Sequence, residues 1–194
     1  MINHALKKTA ILFGVTLLVM VSTFAFAVWY HEDSVQRVEF SLSDQKGQLT
    51  TEKDLAGRHL LVFFGYTSCP DICPGQLYKL SQVMTQLEAT KEAGLVVPVF
   101  ITVDPERDTP EKLDSYLTYF HDSLVGLTGS RASIKKVTDA FSTLLQQAPE
   151  PGVTDYMVAH SSQVYVVDQY GRIVDFIPFN AEVTDIVGKV KDRI

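Results

Sequence analysis

The chain has 194 residues and carries 17 Lys+Arg against 23 Asp+Glu, a net charge of −6. Lys7 and Lys8 are the only charged side chains among residues 1–30, so the remainder is more acidic still, which disfavours a nucleic-acid-binding role. A hydrophobic content of 46% with 21% charged residues excludes a disordered chain, and two cysteines exclude a disulfide-rich scaffold or a four-thiolate zinc site.

Residues 1–9 read as a short cytoplasmic tail and residues 10–30 as a transmembrane anchor, because 21 uncharged residues at ~1.5 Å each cross a ~30 Å hydrocarbon layer. Lys7 and Lys8 before the span and Glu32 and Asp33 after it place the bulk of the chain outside the cytoplasm. Trp29 and Tyr30 then sit at the outer headgroup level. The competing reading is a cleaved signal peptide, for which Ala25-Phe26-Ala27 has the small-x-small pattern. The length of the apolar run favours the uncleaved anchor. Either way the domain is exported, and an exported domain with one close cysteine pair reads as redox- or metal-active rather than stapled.

Residues 31–37 form a polar linker, and residues 38–194 a single domain. Residues 38–42 (Val-Glu-Phe-Ser-Leu) alternate as a half-buried strand, and residues 44–47 form a turn from which residues 48–55 return. The nearly continuous apolar run over 60–66 predicts a central buried strand. Leu77, Leu80, Val83, Met84 and Leu87 define the buried face of a helix that ends at Gly94. A second buried strand covers 95–103, with Pro98 implying a late start or a bulge. Thr109-Pro110-Glu111 opens a helix whose core face is Leu113, Tyr116, Leu117 and Phe120. A short strand at 125–128 leads to a helix capped by Ser130 or Ser133, with Ile134, Val137, Phe141, Leu144 and Leu145 inward. After a Pro- and Gly-bearing excursion over 148–156, strands at 163–167 and 173–177 make a hairpin, and residues 181–194 a closing helix. The class is α/β with a mostly parallel sheet, in the element order of a thioredoxin-like fold with an N-terminal β-hairpin addition.

The chemistry concentrates in Gly65-Tyr66-Thr67-Ser68-Cys69-Pro70-Asp71-Ile72-Cys73-Pro74, between the central strand and its helix. Cys69 and Cys73 are four apart and share one face of a helical turn near a helix N-terminus, where the dipole favours a thiolate. Three intervening residues, one more than in the thioredoxin-type motif, allow either a disulfide or a metal held between two sulfurs. A metal site wants a third ligand, and five histidines are available. His4 lies in the tail, His31 in the linker, His59 in a solvated turn before the central strand, and His121 at a helix end. His160 precedes the first strand of the closing hairpin, at the sheet end that carries the cysteines; from position alone it reads as an ordinary loop histidine. Asp71 serves equally well as an outer-shell acceptor or as a helix N-terminal carboxylate. The cluster Asp104, Glu106 and Asp108 reads as a helix cap at Asp108 or Thr109 followed by a solvated loop, rather than a second metal site.

The motifs YTSCPDICP, VDPERDTPEKLDSYL and GLTG, followed by the His160 segment before YVVDQYGRI, resemble the SCO/SenC family over residues 38–194. The resemblance implies a membrane-tethered, thioredoxin-like copper protein that aids assembly of the copper centre of cytochrome c oxidase, with Cys69, Cys73 and His160 as copper ligands. Two thiolates and an imidazole suit Cu(I) and can hold Cu(II). The family often has an acidic residue immediately before this histidine; here Ala159 stands there, which removes a carboxylate that could steer the imidazole.

The expected function is therefore a copper chaperone, anchored by a single pass in a bacterial inner membrane with its domain in the periplasm. Its partners would be the copper-bearing oxidase subunit and a periplasmic copper donor or thioredoxin-like reductase. The alternative is a thiol-disulfide oxidoreductase acting on the cysteines of the oxidase copper site or of a copper chaperone, with Cys69 attacking and Cys73 resolving. Against general thioredoxin activity, His160 lies in Val158-Ala159-His160-Ser161, where a substrate-docking cis-proline would stand. A peroxidase is disfavoured: Thr67 precedes Cys69 by two residues, but the upstream proline of that motif is missing.

Overall fold

The computed structural model describes residues 13–26, 37–141 and 162–194. His160 and Ala159, Leu144 and Leu145, the 148–156 excursion, the tail, the 31–36 linker and both ends of the expected anchor lie outside the described residues. The chain divides into two compact units, Met1–Gln36 and Arg37–Ile194.

In the first unit residues 13–26 are helical (α1), with Phe13, Leu18, Met20 and Phe24 exposed. Its hydroxyls turn back on their own helix: Thr16 Oγ1 donates to the Phe13 carbonyl, Ser22 Oγ to that of Val19, and Thr23 Oγ1 to those of Val19 and Met20. Among the described residues no helix is long and apolar enough to cross a membrane.

The second unit is built on one seven-stranded sheet. Its strands are β1 (Ser41–Asp44), β2 (Leu49–Thr51), β3 (His59–Gly65), β4 (Val96–Thr102), β5 (Val125–Thr128), β6 (Val164–Val167) and β7 (Ile173–Ile177). The helices are α2 (Ile72–Ala89), α3 (Pro110–Leu117), α4 (Arg131–Ala140) and α5 (Val183–Lys191). Strand order is β2-β1-β5-β4-β3-β6-β7. The centre, β5-β4-β3, is parallel, as strand-helix-strand crossovers require. The N-terminal hairpin adds antiparallel to β5 at one side, and β6-β7 adds antiparallel to β3 at the other. This is the thioredoxin-like arrangement with an added hairpin.

Period-two alternation sorts the central strands into two cores. Leu60, Val62 and Phe64 of β3 with Val97, Val99 and Ile101 of β4 face α4 and the N-terminal residues Val38, Phe40 and Leu42. Leu61 and Phe63 with Phe100 face α2, α3 and α5, whose inward residues include Leu77, Leu80, Leu113, Ile186 and Val190. Both layers are buried, which is why β3 and β4 read as continuous apolar runs.

Several expectations shift. The 38–42 strand keeps its alternation, with Val38, Phe40 and Leu42 buried, but ladder pairing begins only at Ser41. The returning 48–55 segment is a three-residue strand followed by a 3₁₀ turn, Glu52–Leu55. Pro98 neither delays nor bulges β4: it pairs opposite Leu61, and β5 covers β4 only from Val99 onward, so Pro98 lies where that side of the strand is open. Helix α2 ends at Ala89, not Gly94. Lys91 takes the left-handed conformation (φ 63°), and its N–H and that of Glu92 bond to the carbonyls of Glu88 and Leu87. That is a Schellman closure with lysine in the position glycine usually fills. Ser130, rather than Ser133, caps α4 by accepting from the Ser133 N–H.

Candidate functional site

The cysteine segment starts where β3 stops. The Cys69 N–H donates to the Tyr66 carbonyl (3.2 Å), folding residues 66–69 into a turn, and α2 begins at Ile72 with Asp71 at its N-cap. Asp71 is exposed and its carboxylate makes no capping hydrogen bond; its carbonyl takes the Gly75 N–H instead. Cys69 is half-buried, Cys73 is completely buried, and both are free thiols. The two thiols are neighbours, both packed into the core beneath α2.

Cys73 is packed rather than displayed. A Cβ added to Gly65 would lie 2.7 Å from Cys73 Sγ and 2.8 Å from Phe100 Cε2, so the absence of a side chain at the end of β3 makes the space for the sulfur. Burial pushes the Cys73 thiol well above its ordinary value. A hydrogen bond from the Tyr66 backbone pulls the other way without offsetting it, and the Cys69 thiol and the charges of Cys69 and Asp108 add to the rise. The expectation that the helix dipole makes this a ready thiolate is therefore wrong for Cys73: two positions into α2, desolvation outweighs the dipole.

Asp108 braces the cysteine loop. It is completely buried, and its carboxylate accepts from the Thr67 N–H (2.9 Å), the Thr67 hydroxyl (2.5 Å) and the Thr102 hydroxyl (2.7 Å), with Lys112 Nζ at 3.4 Å. Lys112 also donates to Ser68 Oγ (3.3 Å). Gly65 and Thr102 are register partners at the ends of β3 and β4, so the segment following both strands converges on this carboxylate. The acidic cluster is not a solvated loop. Asp104 is completely buried and paired with Arg107, Glu106 pairs with Arg131 at the surface, and the α3 cap is Thr109, which accepts from the Lys112 N–H. Thr67 gives its hydroxyl proton to Asp108.

Two buried polar groups near the cysteines have no hydrogen-bond partner among the described residues: the amide of Gln76, three residues after Cys73, and the hydroxyl of Tyr116. The helical period placed Gln76 on the core side of α2, and that polar residue in an apolar stripe was the available signal. Nothing local marked Asp108 as the brace of the cysteine loop or Gly65 as the space for Cys73, because their partners lie on other elements.

Of the sequence-derived ligand set, Cys69 and Cys73 are brought together and His160 lies outside the described residues. Among the described residues no group of three or more His, Cys, Asp and Glu side chains could hold a metal. His59 is buried as the first residue of β3, paired opposite Val96, and is not in a solvated turn. The His121 ring contacts Ser123 Oγ (2.8 Å) through Nδ1 and Glu88 (3.3 Å) through Nε2, so both of its nitrogens are engaged.

A family model described as SCO1/SenC matches residues 30–194. The chain belongs to the SCO1/SenC family. A mitochondrial SCO2 homolog of Mus musculus is 38% identical over 161 residues, 83% of this chain and 63% of that protein. A SCO2-like protein of Rickettsia felis is 37% identical over 163 residues, 83% of this chain and 78% of the other. This chain spans 50% to 63% of the length of the mammalian relatives it matches. Among solved structures, Bradyrhizobium japonicum ScoI with copper bound aligns with a TM-score of 0.73 at 36% identity, over 81% of this chain and 99% of that one.

Proposed function

We propose that this SCO1/SenC member is a membrane-anchored copper chaperone. It binds one copper ion through Cys69, Cys73 and His160 and passes it by ligand exchange to the copper-bearing subunit of cytochrome c oxidase. The observation that carries the reading is the thiol pair itself. Two reduced, neighbouring cysteines follow the end of the central strand, one buried against Gly65 and one half-exposed. Two adjacent sulfurs suit a soft ion such as Cu(I), and the copper-bound Bradyrhizobium relative supports that choice of metal. Loading displaces the thiol protons to solvent, and metal binding is what makes the buried Cys73 give up its proton despite its raised pKa. Asp108 holds Thr67 and so fixes the loop that carries Cys69, while the exposure of Cys69 gives an incoming ligand access to the ion.

Anchoring and a periplasmic domain belong to the same proposal. The support is α1, whose apolar side chains face outward and whose hydroxyls are satisfied within the helix, as an apolar surrounding demands. An anaerobic Cu(I) titration of the reduced full-length chain against a chromogenic chelator tests the metal reading. One copper per chain is expected, with a clear loss of affinity in His160→Ala and in Cys73→Ser. Weak binding by the wild type, or binding indifferent to both substitutions, overturns it.

One observation favours a second reading, thiol-disulfide exchange: the two free thiols are neighbours in one core. Cys69 as thiolate would attack a target disulfide and expel one target thiolate. Cys73 would then attack the Cys69 sulfur, releasing the second thiolate and leaving a Cys69–Cys73 disulfide. Activity that needs both cysteines but survives His160→Ala would select this reading.

A further inference from the structure

The brace on the cysteine loop has an inner and an outer part. The inner part is the completely buried Asp108 carboxylate, which accepts from the Thr67 N–H (2.9 Å), the Thr67 hydroxyl (2.5 Å) and the Thr102 hydroxyl (2.7 Å). A buried acceptor and its donors are costly to separate, because no water stands ready to replace either. The outer part is the Lys112 side chain, whose ammonium reaches Asp108 Oδ1 (3.4 Å) and Ser68 Oγ (3.3 Å).

Local preference does not account for Lys112. With Thr109 as N-cap it is the third residue of α3, where the positive end of the helix dipole favours an acid over a lysine. Its ammonium contacts do account for it, since one goes to the brace of the loop and the other to the residue before Cys69. The lysine side chain is 42% exposed, and Ser68 is exposed. Contacts of that kind are weak, readily exchanged for water and screened by salt. The loop therefore has a firmly held end at Thr67 and a releasable end at Ser68, and Cys69 follows the releasable one.

We propose that Lys112 is a positioning residue for Cys69: its ammonium latches Ser68 to α3, and release of that latch lets Cys69 move while Thr67 stays fixed. Lys112 acts through Ser68 and touches neither sulfur's partner. The inference serves Cys69 as copper ligand and as attacking thiol alike. Its test uses no metal, so its failure and that of the copper reading are separate results.

The test uses the reduced, metal-free full-length chain, with Lys112→Met, Ser68→Ala and the double variant beside the wild type. Amide hydrogen exchange at Cys69, whose N–H is bonded to the Tyr66 carbonyl (3.2 Å), reads the opening of the loop. Alkylation by iodoacetamide, a neutral reagent, reads Cys69 because Cys73 is completely buried. Both are expected to run about two- to fivefold faster in Lys112→Met, the range for an exposed ion pair, with the amides of β3 and β4 unchanged. The double variant is expected to be no faster than Lys112→Met, since both substitutions open one contact. Raising salt from about 20 mM to about 500 mM is expected to speed the wild type toward Lys112→Met and to leave that variant unmoved. A lysine that acts by charge alone predicts the opposite sign, slower alkylation on its removal, because a nearby cation favours the reactive thiolate. Slower or unchanged alkylation, additive effects in the double variant, or equal acceleration of the β3 and β4 amides overturns the inference.

Discussion

At the scale of single residues, the site depends on a carboxylate that binds nothing from outside. Asp108 gathers the Thr67 N–H and two threonine hydroxyls in a fully buried position. Asp108→Ala leaves the Thr67 N–H without its acceptor and Lys112 without its counter-charge. It is expected to cost about 2–4 kcal/mol, read as a lower urea midpoint at unchanged slope. His59 makes a pH prediction of definite sign. Burial, opposed by the Asp168 carboxylate and aided by Arg193, holds its imidazole below the ordinary value. The unfolded chain therefore takes up the proton more readily than the folded one. The contribution of His59 to stability is complete above the unfolded imidazole's pKa of about 6.5 and is lost as pH falls from there through the folded-state value. Urea unfolding of the reduced protein from pH 7.5 to 5 is expected to show that slope, and His59→Gln to flatten it.

Secondary-structure elements show where local preference and tertiary demand agree and where they conflict. Boundaries set by local chemistry were legible: β5 at 125–128, the β7 strand, and the Thr109 cap with Pro110 at the first position of α3. Boundaries that depend on backbone closure were not. Gly94 looked like the end of α2, but the helix closes through Lys91 in the left-handed conformation. Such a conformation costs a side-chain-bearing residue roughly 1–2 kcal/mol, so Lys91→Gly is expected to raise stability by about 1 kcal/mol, seen as a higher thermal midpoint. The end of β3 behaves oppositely. Gly65 there has no unusual dihedral, yet an added Cβ would meet Cys73 Sγ, Phe100 and Phe63 at 2.7, 2.8 and 3.2 Å. Gly65→Ala is expected to cost roughly 1–3 kcal/mol as an overpacked core. It is also expected to weaken Cu(I) binding in the same chelator competition, whereas Lys91→Gly leaves binding unchanged.

At the scale of the whole molecule, the two units are built differently. Residues 37–194 hold both apolar cores and all seven strands, and α1 is a helix with outward apolar side chains. Residues 37–194 expressed alone are therefore expected to unfold cooperatively, with a midpoint within a few degrees of that of the full chain. The full chain is expected to remain with lipid vesicles through an alkaline wash, while residues 37–194 stay in the supernatant. Equal partitioning of the two would remove the anchor from the proposal.

What the sequence determined by itself was whatever local periodicity and residue chemistry encode. Continuous apolar runs marked β3 and β4, the three- and four-residue spacing marked the buried face of α2, and four-residue separation joined Cys69 to Cys73. The resemblance carried by the cysteine and Asp104–Thr109 motifs identified the family. The tertiary structure alone decided that Cys73 is desolvated and Cys69 half-exposed. It alone decided that Asp104 and Asp108 are interior rather than solvated, and that Thr67, Thr102 and Asp108 meet. Each of these depends on residues distant in the chain arriving at the ends of adjacent parallel strands. Burial and hydrogen-bond partnership arise only when the crossover connections bring those ends together, and no local pattern encodes where a distant strand will end.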